Sequence, residues 1–323
     1  MTTKNSTAYS RLQGKKFFRP SLFACVLTAG LFTACSSDDD GNAIEAEPQA
    51  PRLITVEVSE TPLEEEGAEA RAGETRGDIT YTSTLSTFNM HGIYNGYNSN
   101  YAASKANNNW TLDPNLWPSD AGNNDVIPFY AHTGGTFSSN SGPPYINFTM
   151  PEDALNQHDL LWAYNTASYD GDKDKLGKVS LTFHHACAAV AFEVQLTNTL
   201  SEQLTDGKMT INSIQLKNVK NKGKYYFGNP GSWTDVQYAN GTPTTYTLTN
   251  TTTLVVTNTL QPLPCNWLFI IPQTTAENGT NGTYLEINYG DNKTATIPFA
   301  TNWEGGKKYT IIIRLGTKLI PTI

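Results

Sequence analysis

The sequence predicts an all-β protein of two β-sandwich domains, and three observations support that fold class. Charged residues make up only 16% of the 323 residues and aromatic residues 11%, which suits strands with polar outer faces better than helical bundles. Short apolar runs with period-two alternation recur between turn residues along most of the chain. The sequence contains no coiled-coil heptads, no P-loop and no internal apolar run of transmembrane length.

Residues 1–34 have the order of features found in a bacterial lipoprotein signal peptide. A basic stretch that ends at Arg19 precedes an apolar stretch that is too short to span a bilayer. Two small residues then precede Cys35, which this pattern predicts to be diacylated and to become the first residue of the mature chain. Phe32 stands where the pattern usually has leucine, and an ordinary cleaved signal with an incidental cysteine is the alternative.

The segment 35–51 is acidic and nearly free of apolar residues, which predicts a flexible tether. Its three aspartates, directly after Cys35 and two serines, resemble the export signal of surface lipoproteins in Bacteroidetes, although a solvated tether has the same composition. Net charge is −8 for the whole chain and, without the five basic residues of the signal, −8 − 5 = −13. Because this acidic chain has no stripe of Lys or Arg, we expect no nucleic-acid partner.

A short strand is predicted at residues 52–60, ahead of a polar loop. Its apolar face alternates with polar residues and consists of Ile54, Val56 and Val58. The loop that follows has no periodicity and contains Arg71 and Arg76. The next arginine along the chain is Arg314, so the pair stands out in a chain that uses few arginines.

We assign residues 35–76 to the tether, the first strand and this loop, residues 77–185 to an N-terminal β-sandwich domain and residues 186–323 to a C-terminal one. The boundary has no Pro/Gly linker and is placed from the strand pattern alone. Residues 186–192 are apolar at every position, which predicts a central strand covered on both faces. The other runs are short and separated by turns, which indicates sandwiches and not a parallel α/β sheet.

No arrangement of residues for catalysis, cofactor binding or metal binding is recognisable. Of the five histidines, His184 and His185 are adjacent in a strand-like run, where neighbouring side chains point to opposite faces. The sequence has no HxH, HExxH or GxSxG spacing. The acidic stretch 170–175 lacks the central glycine and the distal glutamate of a calcium loop. We therefore expect a protein that is not an enzyme and needs no cofactor.

Three features fit more than one interpretation. Cys187 and Cys265 lie in apolar strand-like runs, where either a disulfide or two free buried thiols would fit. Residues 76–78 spell the Arg-Gly-Asp motif of integrin ligands, but Gly-Asp is also a good turn. Four aromatic residues would suit stacking on sugar rings as well as packing in a core, namely Tyr97, Tyr101, Trp110 and Trp117.

Several stretches in a fixed order resemble the fimbrillin family of Bacteroidetes, the Mfa-like and FimA-like type V pilins. They are LWP…DVIPFYAHTG, HDLLWAYNT and VSLTFHHACAAVAFEV, followed by WLFIIPQ and WEGGKKYTIIIRL, and they cover roughly residues 80–315. The resemblance implies two transthyretin-like β-sandwich domains in a lipoprotein precursor. It also implies a structural subunit that is first anchored to the outer membrane and then built into a fimbrium on the cell surface.

In such proteins an arginine-specific protease removes the N-terminal segment, and a strand from another subunit fills the groove left behind. For this chain the resemblance implies cleavage at Arg76 or Arg71, with Arg76 favoured because it lies nearer the next strand. The strand at residues 52–60 would then leave together with the lipid on Cys35. The alternative is that the two arginines balance nearby glutamates. The expected partners are other pilin subunits, the protease, the outer membrane through that lipid, and a host or bacterial surface ligand.

The stretch after the last predicted strand favours a tip or accessory subunit over a stalk subunit or an anchor. Only GTKLIPTI follows Leu315, and Pro321 interrupts it, whereas a donor strand needs a longer alternating run. The last strand is an alternative donor, with one apolar face made of Tyr309, Ile311, Ile313 and Leu315. The alternative function is that of a stand-alone surface lipoprotein that binds glycans or host molecules.

Overall fold

Strands form nearly all of the regular structure in a computed structural model of the protein, which confirms the all-β prediction. The predicted signal peptide, Cys35, Arg71, residues 76–78 and the acidic stretch 170–175 lie outside the residues that the structure describes. Those described are residues 52–65, 85–119, 121–122, 124–140, 142–169, 177–248, 253–265, 267–276, 282–290 and 293–317.

Ten strands precede residue 186 in the described chain: β1 (Ile54–Glu60), β2 (Glu64–Glu65), β3 (Thr87–Tyr94), β4 (Tyr97–Ala106), β5 (Asn109–Asp113), β6 (Val126–His132), β7 (Thr136–Ser138), β8 (Tyr145–Thr149), β9 (Leu161–Ser168) and β10 (Gly177–His185). Thirteen described strands follow: β11 (Ala188–Leu196), β12 (Met209–Val219), β13 (Lys222–Tyr226), β14 (Ser232–Gln237), β15 (Thr244–Thr247), β16 (Leu254–Val256), β17 (Gln261–Pro262), β18 (Leu268–Ile270), β19 (Gln273–Thr274), β20 (Tyr284–Tyr289), β21 (Lys293–Pro298), β22 (Asn302–Trp303) and β23 (Lys307–Leu315). Helical structure is limited in these ranges to a 3₁₀ turn, Ala154–Asn156, and the helix α1, Asn198–Gln203. Within the same ranges, no helix has the length and apolar character needed to cross a membrane.

Short turns rich in asparagine join the strands of the first sheet. Between β3 and β4, Asn95 and Gly96 both have positive φ, 47° and 81°, which is the conformation of a two-residue type I′ turn. Asn107 and Asn108 repeat it between β4 and β5, with φ of 49° and 64°. Asparagine enters the left-handed region more readily than most residues that have a Cβ. The local sequence therefore favours this meander of hairpins.

The first sheet has seven strands in the order β1-β10-β9-β6-β3-β4-β5. Its pairings are antiparallel, except that β1 runs parallel to β10. The sheet curls so that β1 and β5, the two ends of this order, contact one another. A buried cluster lies on its inner face and includes Ile54, Phe88, Met90, Phe129 and Leu181. The first strand therefore closes the sheet and covers part of its core.

Two five-stranded sheets pack face to face in the second half of the chain. One has the order β17-β11-β23-β2, with β18 also paired to β11, and the other has β15-β12-β20-β21, with β16 also paired to β12. β19 and β22 form a separate pair. The two larger sheets share a core that includes Val190, Ile214, Leu285 and Ile313. β11 is buried at nearly every position, which confirms the central strand predicted from residues 186–192.

A third buried cluster joins the two halves of the chain. The strands β14-β13-β8-β7 form a four-stranded sheet in which β13 pairs with β8. In this cluster Ile146 and Trp162 of the first half pack with Tyr225 of the second. The described residues belong to one compact unit that spans residues 50–323. The division into two domains at residues 185 and 186 stays a prediction.

Cys187 and Cys265 are both free and buried, which decides between the two alternatives that the sequence left open. Burial raises the pKa of the Cys265 thiol to about 12. Burial also raises the pKa of Cys187 well above its ordinary value, and the charge of Asp159 adds to that effect. Because the thiolate is the reactive form of cysteine, both side chains are inert in the folded protein.

Two histidines face each other across strands β3 and β6. His91 Nε2 lies 3.1 Å from His132 Nε2, and His132 Nδ1 donates to the carbonyl oxygen of Gly134 at 2.7 Å. Phe137 stacks on the His91 ring with 3.9 Å between the centroids. Burial lowers the pKa of His132 to about 4, and the neighbouring His91 contributes to the shift. Burial lowers the pKa of His91 as well, so both rings are neutral at pH 7.

We expect iodoacetamide at pH 8 to leave Cys187 and Cys265 unmodified in the native protein, because both thiols are buried and protonated. Both should be alkylated once guanidinium chloride unfolds the chain. Peptide mapping by mass spectrometry reads the two positions separately. Modification of either one in the native protein at the rate of an exposed cysteine would contradict this description of the core.

The neutral form of His132 should make stability depend on pH. The folded-state pKa of about 4 lies below the unfolded value of about 6.5, so the contribution is complete above pH 6.5 and is lost as the pH falls toward 4. Between pH 7 and pH 5 the free energy of unfolding of the wild type should fall by about 2 kcal/mol more than that of His132→Gln. Urea denaturation at each pH measures the difference.

The control for this experiment is His158→Gln, at an exposed histidine. It should keep the pH dependence of the wild type, because this ring lies on the surface and outside the buried histidine pair. Parallel pH profiles for wild type and His132→Gln would show that the buried histidine pair does not carry the effect.

Candidate strand-exchange site

The predicted first strand is formed, and it lies along one edge of β10. β1 runs parallel to β10, with Ile54 opposite Gly177 and Glu60 opposite Phe183. The inward side chain of Ile54 is only 2% exposed, and the two valines that follow on the same face, Val56 and Val58, are half-buried against the core of the first sheet. A backbone ladder and a partly buried apolar row therefore hold the strand in place.

The start of β1 is also held on its other side, by the loop that follows β5. Ile54 N donates to the carbonyl oxygen of Asn115 at 2.9 Å. The Arg52 guanidinium donates to the carbonyl oxygens of Ala121 and, at 2.9 Å, of Ser119. These bonds connect the start of β1 to the loop after β5, and β5 is the strand at the opposite end of the sheet order. At its start β1 therefore has β10 on one side and this loop on the other.

The outward row of β1 is polar and exposed. Glu57 Oε2 lies 2.6 Å from Lys178 Nζ, and this bonded cation holds the pKa of Glu57 below its usual range. Ser59 Oγ lies 3.0 Å from Thr182 Oγ1. Both side chains of the ion pair are more than half exposed, at 62% for the glutamate and 58% for the lysine, and such pairs contribute little to stability.

A buried ionic network lies at the other end of β1. His185 Nδ1 is 2.6 Å from Asp159 Oδ2, and His185 Nε2 is 3.4 Å from Glu60 Oε1. The His185 and Asp159 side chains are each 2% exposed, and that of Glu60 is 23% exposed. Burial raises the pKa of Asp159, against the opposing effects of His185 and of the Cys187 backbone N–H. The carboxylate at the end of β1 completes a network whose other members belong to the body of the protein.

After β1 the chain passes to the second half of the molecule. Thr61 N donates to a carbonyl oxygen of β10 at 2.9 Å, and Leu63 packs against the third buried cluster. Glu64 N donates to the Gly306 carbonyl oxygen at 2.8 Å, and β2 then pairs in parallel with the start of β23. Residues 52–65, which we call the N-terminal segment, thus add to one edge in each of two sheets.

The sequence identified the apolar face of this strand but not the network at its end. Glu60 stands two residues after Val58 and therefore continues the inward row, where one more apolar residue would be expected. On β10, His185 likewise follows a buried inward row made of Val179, Leu181 and Phe183. The signal that could have located the site is this pair of apolar rows, each of which ends in an ionisable residue. Arg71 and Arg76 lie outside the described residues, so cleavage there stays a prediction.

The aromatic residues considered for sugar stacking do not gather on one surface. Tyr101 and Trp117 are 2% and 3% exposed in the core of the first sheet, and Trp110 packs against Phe88. Tyr97 is widely exposed, at 69%. In the part of the chain that the structure describes, no three His, Cys, Asp or Glu side chains are grouped to hold a metal ion.

A model of the fimbrillin-like family matches residues 69–323 of the chain. Solved structures that resemble it include a candidate cell adhesion protein from Bacteroides ovatus, with 14% identity, a TM-score of 0.48 and coverage of 84% of this chain and 95% of that one. A candidate cell adhesion protein from Parabacteroides distasonis has 8% identity and a TM-score of 0.48, over 85% of this chain and 92% of that one. A fimbrial protein from Bacteroides ovatus has 11% identity and a TM-score of 0.40, over 83% of this chain and 50% of that one. No curated protein matches the sequence.

The assignment rests on the family model, because the solved structures are less than 25% identical to the chain and their TM-scores are below 0.5. The matched region takes in most of the chain and begins just after the N-terminal segment. It confirms the resemblance that the ordered stretches indicate. The chain therefore belongs to the fimbrillin-like family, whose members are structural subunits of cell-surface fimbriae and not enzymes.

Proposed function

We propose that this chain is a tip or accessory subunit of a cell-surface fimbrium, assembled by protease-triggered strand exchange and contributing to adhesion. The observation that carries the proposal is the placement of the N-terminal segment as a parallel addition to the edges of two sheets. This segment is linked covalently to the rest of the described fold through the stretch that contains Arg71 and Arg76. A cut there would turn a strand of the same chain into a separate peptide.

Departure of the N-terminal segment would open a groove along β10. The inward row of β10 would lose the cover of Ile54, Val56 and Val58, and its backbone would lose the ladder with β1. Unpaired edge groups beside an apolar trough are a template for a strand from another chain. While the segment is in place these groups are satisfied, so the uncleaved chain is expected to be stable and unable to accept a strand.

The two arginines within the described fold are poorly placed for proteolysis. The Arg52 guanidinium is bound by two carbonyl oxygens, and Arg314 lies within β23, opposite Gln195 of β11. Proteases prefer exposed loops, because the substrate must fit their active sites in an extended form. An arginine-specific protease should therefore spare the body of the protein, which supports Arg76 or Arg71 as the cleavage position.

The position of β23 favours a subunit that accepts a strand and does not donate its own. β23 lies between β11 and β2, and its residues Ile313 and Leu315 are 0% and 1% exposed. Release of β23 as a donor would leave a large cavity in the core shared by the two five-stranded sheets. An acceptor that keeps its last strand fits the tip or an accessory position in a fibre.

In this proposal only the uncleaved precursor carries the lipid. A diacylated Cys35 would hold the uncleaved chain at the outer membrane, behind the flexible acidic tether. Cleavage at Arg76 or Arg71 would remove the anchor and the N-terminal segment in one step. The trimmed subunit would then enter the fimbrium, where its surface would meet a host or bacterial ligand.

Replacement of both Arg71 and Arg76 by alanine should block processing, because no arginine remains in the loop. Incorporation into fibres should fall by about tenfold or more, since the attached strand competes from within the same molecule. Quantitative immunoblots of purified fibres measure incorporation. Mass spectrometry should find mature N-termini at Ala72 or Gly77 in the wild type and an acylated Cys35 in the variant.

The matched control replaces both arginines by lysine, which keeps the two positive charges and removes the residue type that the protease recognises. This variant should behave like the alanine variant. Incorporation of the uncleaved lysine variant at the wild-type level would indicate that the pair only balances nearby glutamates. Normal incorporation of the uncleaved alanine variant would contradict the proposal as a whole.

A further inference from the structure

The inward rows of β1 and β10 both end in an ionisable residue. Glu60 occupies the inward position after Val58 on β1, and His185 occupies the inward position after Phe183 on β10. Because the two strands are parallel and in register, these ends meet, and Glu60 Oε1 lies 3.4 Å from His185 Nε2. Apolar residues at both places would simply continue the core, so the fold alone does not require this pair.

Asp159, in the body of the protein, holds His185 on the side of the ring that faces away from Glu60. Its Nδ1 lies 2.6 Å from Asp159 Oδ2, and the Cys187 backbone N–H donates to Asp159 Oδ1 at 3.2 Å. The ring therefore presents Nε2 to the place that Glu60 occupies. The groove thus presents one imidazole nitrogen to a single position of the bound strand, where Glu60 supplies a carboxyl oxygen.

Other basic residues lie beside the N-terminal segment. Lys178 pairs with Glu57, and the ladder places Glu64 and Glu65 opposite two lysines of β23. Glu57 and Glu60 therefore each contact a lysine or histidine of β10. Charge, in addition to apolar alternation, distinguishes the strand that this groove fits.

We propose that the strand which replaces β1 carries a carboxylate at the position of Glu60 and that His185 selects it. The inference rests on the proposed strand exchange and describes its partner: an extended segment of another subunit with the apolar row of β1 and an Asp or Glu at the next inward position. An apolar residue there would replace the polar partner of the buried imidazole with a group that forms no hydrogen bond, which costs binding free energy. Among strands with equal apolar rows, the groove selects the acidic one.

The last segment of this chain does not meet the requirement. Residues 307–323 contain no aspartate or glutamate, and Arg314 and three lysines make them basic. In the groove they would bring positive charge toward Lys178, and like charges in contact disfavour a partner. The occupant is therefore not the last segment of a second copy of this chain.

The test uses the full-length protein after treatment with an arginine-specific protease. Fluorescein-labelled peptides that copy residues 52–65 are offered to it, and fluorescence anisotropy measures their binding. The parent peptide and its Glu57→Gln version should agree within about twofold, because Glu57 pairs at an exposed site. The Glu60→Leu version should bind about tenfold more weakly or worse, and a copy of residues 307–323 should also bind at least about tenfold more weakly.

A His185→Gln protein, checked for its native circular dichroism, provides a second measurement. The difference between the parent and Glu60→Leu peptides should shrink to about twofold, because the imidazole that contacts Glu60 is gone. Equal binding of these two peptides to the wild-type protein would overturn selection by His185 and leave strand exchange intact. Binding of the 307–323 copy as tightly as the parent would overturn the exclusion of that segment. If no peptide enters the groove, strand exchange itself fails, and this inference fails with it.

Discussion

The parallel ladder between β1 and β10 is the interaction on which the rest of the structure depends. Through it one strand closes the seven-stranded sheet, because β1 also bonds to the loop that follows β5. The same strand covers the first core with Ile54 and leads the chain past Leu63 to the edge of β23. These contacts consist mainly of backbone bonds and a half-buried apolar row. Any extended chain with the right alternation offers the same groups.

In the proposed strand exchange, that equivalence implies that cleavage, more than affinity, controls assembly. A strand of the same pattern gains the ladder and apolar contacts that the departing strand loses, so the exchange is nearly balanced. A covalent link gives the resident strand an effective concentration on the order of millimolar, which a free competitor does not reach. A cut at Arg71 or Arg76 removes this advantage. Selectivity then depends on the side chains that differ between strands, above all the one that meets His185.

The elements could be predicted where the controlling pattern is local. The alternation at Ile54, Val56 and Val58 gives a strand with one buried face, and the apolar run 186–192 gives a central strand, because both patterns involve adjacent residues. The pairing could not be predicted, since β1 meets β10 and β13 meets β8 across long stretches of chain. The network of Glu60, His185 and Asp159 depends on that register. Its local signs are a glutamate in phase with the apolar row of β1 and a histidine in phase with that of β10.

Hydrogen exchange of β10, read by mass spectrometry before and after treatment with an arginine-specific protease, tests the central claim most directly. In the uncleaved chain the amides of residues 177–183 that face β1 should exchange slowly. After complete cleavage and dilution the N-terminal segment should leave, and these amides should exchange about tenfold faster or more, while β11 stays protected. Protection of β10 that is the same before and after complete cleavage would mean that the segment stays bound, and it would contradict the account.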